Sequence, residues 1–590
     1  MKSYTEEYAA SAPYKHAVIH NLVNDKLLRS VRQEITNNVE FTPKETDIYK
    51  IHQSGDLANL DGLDDKSLAK LPSLLALRDA IYSEAFRDYV SHITNCGPLS
   101  GRKTDMAINV YTPGCFLLCH DDVIGSRRVS YILYLTDPDT PWQAEWGGAL
   151  RLFPVQEIRG KDGEVAKTPL PDPSKAIPPA WNQLSFFAVQ PGESFHDVEE
   201  VYHAETREQL KKNGGRVRMA ISGWFHIPQE GEDGYRKGEE EKNAKNSSLM
   251  QLKGNPAQYD TPQSHSVSVE PLKSDESEFD ESELEFLIRY LSPTYLTPDS
   301  MEQISEHFNT HFSISLTDIL SKKFAKRLKA YVSGEDEKSL PASSEAIEKS
   351  TPWRIARPPH KRRYLYQHPS GPDELRTSKE ESPVKELLDV LLPSRPFRHW
   401  LQVATGCTIE SQEILARRFR PGQDYTLASS HEGKTQLELS IGITPTSGWG
   451  SGEEGGDGEA ARTRANGKSR KKSKGKSAAG ERGGSEPGDD VGGQEVYMAA
   501  ADDADEDAAI YKSATDDDGI LFFQGAAWNC LSIVLRDNGV LKFVKYVSRK
   551  AKGDRWDVTG TYEVADEEES EEESEEEFQG FSDREQSDSD

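Results

Sequence analysis

Three landmarks of the first half of this chain return in the second, in the same order. Phe86-Arg-Asp-Tyr-Val followed by Thr94-x-Cys96 is echoed by Phe397-Arg-His-Trp-Leu followed by Thr405-x-Cys407. Tyr111-Thr-Pro-Gly114 finds Phe419-Arg-Pro-Gly422, and Ala180-Trp-Asn-x-Leu-Ser185 finds Ala527-Trp-Asn-x-Leu-Ser532. Ordered self-similarity of this kind means one folding unit built twice, which excludes most architectures open to 590 residues. The duplicate is longer between its last two landmarks because a charged, glycine-rich stretch is inserted there.

The unit itself reads as strands. Val217, Met219 and Ile221 share one face of an extended segment, while Arg218, Ala220 and Ser222 share the other. Met106, Ile108 and Val110 alternate with Ala107, Asn109 and Tyr111; Val129, Tyr131 and Leu133 alternate with Ser130, Ile132 and Tyr134. One greasy face and one face bearing a lone arginine fit a small barrel, packed outside, with Asn109, Tyr111, Tyr134, Arg218 and Ser222 lining a polar interior. Leu184–Val189 reads as a buried strand ended by Pro191-Gly192. An apolar run ends in His120-Asp-Asp122, and residues i and i+2 of a strand face the same way, so an imidazole and a carboxylate project together. That is two-thirds of a 2-His-1-carboxylate facial triad, which leaves metal positions open for oxygen chemistry. His196, just after the buried strand and turn, supplies the second imidazole. His203, at the edge of the polar insert Glu205–Gly215, is its rival, and His226 lies beyond Arg218. Cys115 and Cys119 suggest zinc, but the five cysteines contain no second pair to close such a site.

Tyr111-x-Pro-Gly-Cys-Phe-Leu-Leu-Cys-His-Asp-Asp122, Arg128-Val-Ser-Tyr-Ile-Leu-Tyr-Leu135, Trp146-Gly-Gly148, Ser194-Phe-His196 with Val198 and Val201, and Arg218–His226 together resemble the 2-oxoglutarate- and Fe(II)-dependent prolyl hydroxylases. Glu45-Thr-Asp-Ile-Tyr-Lys-Ile and Gly55-Asp-Leu-Ala-Asn-Leu60 extend the likeness to the eukaryotic ribosomal prolyl-3-hydroxylase family, known also from a yeast termination-and-polyadenylation factor and a fission-yeast oxygen-sensing regulator. The resemblance implies His120, Asp122 and His196 as iron ligands, Arg218 and Tyr134 as the anchor for the distal carboxylate of 2-oxoglutarate, and Tyr111 as a further pocket tyrosine. It implies Fe(II), 2-oxoglutarate, O2 and ascorbate. It also implies hydroxylation of a proline in a small-subunit ribosomal protein, affecting translation fidelity and termination and oxygen-linked regulation. The implied fold is mixed α+β: two double-stranded β-helix (jelly-roll) barrels with packing helices, the second degenerate. The triad fixes the oxidant and not its target. An N-demethylase on nucleic acid or histone is a second enzyme reading, and an interaction protein with translation-termination or transcription-regulatory partners on its second barrel is the competing class.

Counting from Pro-Gly puts Ala428 and Ser430 at the places of His120 and Asp122; counting from Trp-Asn puts Phe543 at the place of His196. Arg555 echoes Arg218, and His431 falls out of register. The duplicate is therefore expected to hold no metal. The divisions expected are a catalytic barrel at 1–230, a disordered linker at 231–282, a second barrel at 283–565 with a disordered insert at about 448–508, and a disordered acidic tail at 566–590. That tail holds 14 acids and one arginine of a chain with net charge −29, and its Ser570 and Ser574 precede glutamate triplets suited to acidophilic kinases. The basic island Lys468–Lys476 fits nuclear import or RNA contact, so a nuclear and cytoplasmic location is expected. No apolar run approaches the length of a membrane span and no N-terminal apolar signal stands out. No membrane association and no sequence-specific nucleic-acid partner are expected. Scattered cysteines suit a reducing compartment.

Overall fold

The computed structural model describes residues 2–159, 165–244, 259–272, 278–371, 382–431, 433–449, 491–499 and 519–565. The first half contributes β1 (Ala17–His20), β2 (Thr42–Glu45), β3 (Tyr49–Gln53), β4 (Thr104–Tyr111), β5 (Phe116–His120), β6 (Arg127–Tyr134), β7 (Leu150–Leu152), β8 (Val155–Arg159), β9 (Val165–Pro169), β10 (Lys175–Ile177), β11 (Gln183–Ala188), β12 (His196–Val198) and β13 (Arg218–His226). Apart from the β8–β9 hairpin they form one curled antiparallel sheet in the order β1-β11-β6-β13-β4-β3-β5-β12-β7-β10, with β2 beside β3. That sheet fits a jelly roll. The alternation in the sequence explains its two faces. Met106, Ile108, Val110, Val129, Tyr131, Leu133, Met219 and Ile221 all enter one core, against Leu28, Val31 and Ile35 of helix Asp25–Asn38 and Leu74, Leu77 and Ile81 of helix Pro72–Ile81. The opposite face turns inward, where Asn109 donates to Ser222 Oγ at 2.6 Å.

The second half adds β14 (Val267–Ser268), β15 (Ser313–Thr317), β16 (Arg354–Ile355), β17 (Arg362–Arg363), β18 (Leu365–Gln367), β19 (Ile409–Phe419), β20 (Tyr425–Ser429), β21 (Gln436–Ile443), β22 (Glu495–Ala499), β23 (Ile520–Gln524), β24 (Trp528–Arg536), β25 (Val540–Val544) and β26 (Arg555–Val564). Its larger sheet runs β15-β24-β21-β26-β19-β18-β16 and its smaller one β17-β20-β25-β22-β23. The run β15-β24-β21-β26-β19 repeats the order of β1-β11-β6-β13-β4, and β20-β25-β22-β23 repeats β5-β12-β7-β10. Four helices, Glu281–Tyr290, Pro298–His311, Lys322–Asp336 and Arg395–Thr405, back the larger sheet in a separate core.

Two expectations about disorder need correction. Within the supposed linker, residues 259–272 pack on the second half: β14 pairs with β19, and Asp260, 2% exposed, pairs with Lys361 at 3.0 Å. Within the supposed insert, Val491 is buried, Gly492 and Gly493 take positive φ, and β22 is an inner strand between β23 and β25. Short apolar-aromatic strands hide easily inside charged, glycine-rich sequence, because composition is averaged over longer windows than one strand. The basic island 468–476 and the tail 566–590, with Ser570 and Ser574, lie outside the described residues. Among the described residues no helix is long and apolar enough to cross a membrane.

The halves pack through the β5 region of the first sheet and the smaller sheet of the second half. Ile48 and Leu118 form one cluster with Tyr425, Leu427 and Tyr546, and the Phe116 and Tyr546 rings lie 4.4 Å apart. Phe195 stacks on His360 at 4.9 Å. Polar contacts ring this contact: Asp47 accepts from the Ala428 amide at 3.0 Å, Lys545 pairs with Glu45 at 3.0 Å, and Asp172 takes Arg363 at 2.9 Å and the Ser344 hydroxyl at 2.8 Å. The conspicuous Glu45–Ile51 segment is thus part of the seam between halves.

Candidate active site and metal centre

His120 and His196 are directly paired across β5 and β12, with ring centroids 4.2 Å apart. The register slips between His196 and Val198, which pair with His120 and Leu117, so β5 carries an extra residue. Such a bulge re-aims the side chains after it. Leu118 is buried in the contact between halves, and Leu117 packs against both that cluster and the one holding the pocket tyrosine Tyr111. Each imidazole is oriented by its own backbone: His120 Nδ1 meets the Leu118 carbonyl at 2.8 Å and His196 Nδ1 the Ser194 carbonyl at 2.8 Å. Nδ1–H donation leaves both Nε2 atoms as ligand atoms.

Asp122 does not reach them as strand alternation predicts. Strand β5 ends at His120, and Asp122 takes the left-handed conformation at φ 61°, which aspartate tolerates better than most residues. The turn brings its carboxylate to 3.3 Å from His120 Nε2 and 3.5 Å from His196 Nε2. Ligand atoms about 2.1 Å from a metal and at right angles stand about 3 Å apart, so this spacing fits a shared ion. The three residues are 4–6% exposed and their ligand atoms lie within 4.8 Å of one another. Burial opposes ionisation of Asp122, but His196 and His120 more than offset it and hold the carboxyl well below its usual range. Burial likewise opposes protonation of His120, and Asp122 reverses that and raises its pKa. His203 stands elsewhere, against Gly114 and 4.0 Å from Glu200; His226, at the far end of β13, is held by Ser126 and pushed down to about 3, chiefly by burial. Cys115 and Cys119 are buried, free and outside the cluster.

Arg218 opens β13 opposite Tyr111, 1% exposed. Its guanidinium lies 4.6 Å over the Tyr111 ring and 5.1 Å from that of Tyr134, and its Nε donates to the Gly148 carbonyl at 2.8 Å. Burial pushes the Tyr111 phenol up to about 12 and raises that of Tyr134, with Arg218 pulling both back. Arg218 Nη2 and the Tyr134 hydroxyl are buried without a hydrogen-bond partner among the described residues. A buried cationic donor and a hydroxyl left unpaired beside it are costly unless an anionic acceptor completes them. A carboxylate fits there, and three open-sided ligands fit a metal beside it.

Residues 106–226 match the family model described as 2OG-Fe(II) oxygenase superfamily, and residues 282–571 match oxoglutarate and iron-dependent oxygenase degradation C-term. A curated relative from Ostreococcus tauri, prolyl 3,4-dihydroxylase OGFOD1, is 30% identical over 93% of this chain and 95% of its own length. The chain belongs to the OGFOD1 family of prolyl hydroxylases. The Xenopus laevis prolyl 3-hydroxylase OGFOD1 is 30% identical over 61% of this chain and 55% of its own length. A Pseudomonas putida prolyl-4-hydroxylase structure aligns over 38% of this chain and 97% of that one, at 20% identity and a TM-score of 0.26. Fe(II), 2-oxoglutarate and O2 are the reagents of this hydroxylase.

The second half of the hydroxylase repeats some of this local geometry. Gly492-Gly493, like Gly147-Gly148, is a pair of glycines at positive φ, and Arg555 lies 5.0 Å over Phe419 as Arg218 lies over Tyr111. The strand register corrects the count made from the sequence. His196 pairs with His120 and Leu152; the residue pairing with Ser429 and Tyr497 is Lys542, not Phe543. Position 429 therefore stands for 120, one residue later than counted: β5 and β20 share the same irregularity, at 117–120 and 426–429, and the extra residue lies between Gly422 and Thr426. His431, two residues on, is in register after all, but its Nε2 is taken by the Lys434 carbonyl at 2.7 Å. Lys542 bonds Glu438 and lies 3.3 Å from Glu495, while Asp557 takes Arg417 through two bonds of 2.7 and 2.9 Å and also bonds Arg555. Sequence reasoning missed this network, and it missed Glu200; both lie in strands or straps that no motif marks.

Proposed function

We propose that this hydroxylase acts on a proline of a small-subunit ribosomal protein, with Fe(II) held by His120, Asp122 and His196 and 2-oxoglutarate anchored by Arg218. The pairing of orphaned donors on Arg218 and Tyr134 with a buried three-ligand cluster carries the assignment of roles. When bound, Fe(II) supplies O2 activation coupled to decarboxylation of 2-oxoglutarate to succinate and CO2, leaving one oxygen atom on the prolyl ring. The chain's own part is to position and to exclude water. Arg218 offers its planar fork to the distal carboxylate, Tyr134 adds a hydroxyl, and the Tyr111 face screens the cation. The carbonyls of Leu118 and Ser194 fix both imidazoles, so the ligand set is preformed.

The ribosomal substrate rests on the sequence resemblance, and the choice between 3-hydroxylation and 3,4-dihydroxylation is what the relatives' names leave open. Residues 1–230 are read as the catalytic barrel and 283–565 as a degenerate second one, supported by the repeated strand order and by Lys542 and Asp557 standing where a metal and a cosubstrate carboxylate would. Translation-termination or transcription-regulatory partners on that half, ascorbate as a supporting reductant, and a nuclear and cytoplasmic location complete the reading. Incubation of the full chain with Fe(II), 2-oxoglutarate and small-subunit ribosomal peptides, with and without ascorbate, tests it by succinate release and mass spectrometry. One added oxygen on a proline supports a 3-hydroxylase and two a dihydroxylase. Succinate release driven only by a nucleic acid or histone peptide overturns the substrate.

A further inference from the structure

Between the metal ligand His196 and the insert before Arg218 runs a strap, residues 199–203, that touches both halves of the chain. Its backbone side belongs to the cosubstrate site. The Gly148 amide donates to the Glu200 carbonyl at 3.1 Å, Val201 bridges Gly147, and the Tyr202 amide donates to the Trp146 carbonyl at 2.8 Å. The fit leaves no room for side chains: a Cβ on Gly147 would sit 2.1 Å from the Glu200 carbonyl oxygen, and one on Gly148 would sit 3.1 Å from Arg218 Cδ. The Gly148 carbonyl then accepts from Arg218 Nε at 2.8 Å. A single residue, Gly148, therefore separates the strap from the guanidinium.

The side-chain side of the strap belongs to the other half. The Glu200 carboxylate is fully buried and accepts from the Ser548 hydroxyl at 2.6 Å, the Arg549 amide at 2.8 Å and the Tyr546 hydroxyl at 3.3 Å. Arg549 also lies 4.3 Å over the Tyr202 ring. We infer that Glu200 is a positioning residue for cosubstrate binding: it clamps the strap to segment 546–549 and, through Gly148, sets where the Arg218 fork points. This rests on the reading of Arg218 as the 2-oxoglutarate anchor. On this inference the second half helps build the 2-oxoglutarate site without contacting the ligand. A fork with a fixed Nε bond has its remaining donors aimed; one released from it must spend rotamer freedom on each turnover.

The test uses the full chain loaded with Fe(II), measuring KM for 2-oxoglutarate, KM for the peptide, kcat and melting temperature. Ser548→Ala and Tyr546→Phe remove donors from the second half and leave the first half's sequence intact. Each should raise the KM for 2-oxoglutarate about three- to tenfold, the worth of one hydrogen bond, with the peptide KM and kcat unchanged. Glu200→Ala should do more and Glu200→Gln, which keeps one acceptor oxygen, less. Should the Glu200 variants fail to fold, the Ser548 and Tyr546 variants decide. A lower melting temperature with an unchanged 2-oxoglutarate KM makes Glu200 mere glue and overturns the inference. Arg218→Ala runs alongside: if it leaves the 2-oxoglutarate KM unchanged, the anchor reading has failed; if it raises that KM while the 546 and 548 variants do not, only the positioning role has.

Discussion

Asp557→Ala puts the chemistry of the second half to a quantitative test. Asp557 is 1% exposed, and it is bonded to Arg417 and Arg555, themselves 7% and 3% exposed. Without it Arg417 keeps Glu495 at 2.8 Å, and one buried positive charge more than before lacks compensation. Removing one partner from a buried ion pair costs about 3–5 kcal/mol. In a unit of this size about 1 kcal/mol moves the melting temperature by roughly 2–4 °C, so the second half should melt roughly 6–20 °C earlier. Calorimetry of the full chain reads that directly, in buffer free of carboxylates. Acetate, succinate or 2-oxoglutarate at millimolar concentration should then recover part of the loss, because the vacated space faces two guanidinium groups. Asp557→Asn, which keeps the shape, should lose less. First-site turnover, measured well below the transition, should be unchanged. A shift under about 2 °C, or recovery by chloride equal to that by carboxylates, would refute the idea that Asp557 stands where a cosubstrate carboxylate would.

Other outcomes follow from the same geometry. His120→Ala, Asp122→Ala and His196→Ala should each abolish turnover and Fe(II) retention, whereas His203→Ala keeps both, and the full chain should titrate to one equivalent of Fe(II). Arg218→Ala should raise the KM for 2-oxoglutarate about a hundredfold, the equivalent of about 3 kcal/mol, against about fivefold for Tyr134→Phe. Residues 1–230 alone would expose the Ile48–Leu118 face and Glu200, and light scattering should find the fragment aggregating or its turnover reduced; a monodisperse, fully active fragment contradicts this. Deleting 451–489 should leave iron binding and turnover intact, provided the cut stops before Val491. Acid stability should fall in a defined window: against burial, which raises it, Lys542 and Arg417 hold the Glu495 carboxyl down to about 2. A depressed folded-state pKa stabilises above the ordinary carboxyl range, so that contribution should be lost as pH falls from about 4.5 toward 2, read as a steepening acid-unfolding curve.

Much of the first half was legible because a half-buried sheet writes its two faces into alternate residues. Met219 and Ile221 went to the helix-packed core and Arg218 to the pocket for that reason. Legibility failed where the backbone leaves the regular period. Asp122 reaches the histidines through a left-handed residue after the strand, and nothing in His-x-Asp distinguishes that from a continuing strand. Lys542 was passed over for Phe543 because counting from a landmark assumes equal lengths, and the stretch from Trp528 to Lys542 is one residue shorter than that from Trp181 to His196. Glu200 was invisible because its partners, Ser548 and Arg549, lie some 350 positions away and share no motif with it.

On the proposed reading of the second half, the residues that differ between the halves come as a set. A buried guanidinium held at the end of β13 or β26 is tolerable only beside an anion, because a desolvated, unpaired cation costs several kcal/mol. In the first half Nη2 of Arg218 waits for a ligand to supply that anion. If, as proposed, the second half is a barrel that no longer receives the ligand, it must either lose the arginine or hold an acid next to it, and Arg555 has Asp557 two residues along the same strand. Acids brought into such a pocket need a cation in turn, and Lys542, at the place of a histidine ligand, provides one to Glu438 and Glu495. A lysine ammonium can carry the charge of an ion but offers no lone pair to one. Restoring His at 542 alone would therefore leave Glu438 to Arg536 and Glu495 to Arg417, each with one cation fewer, rather than recreate a metal centre.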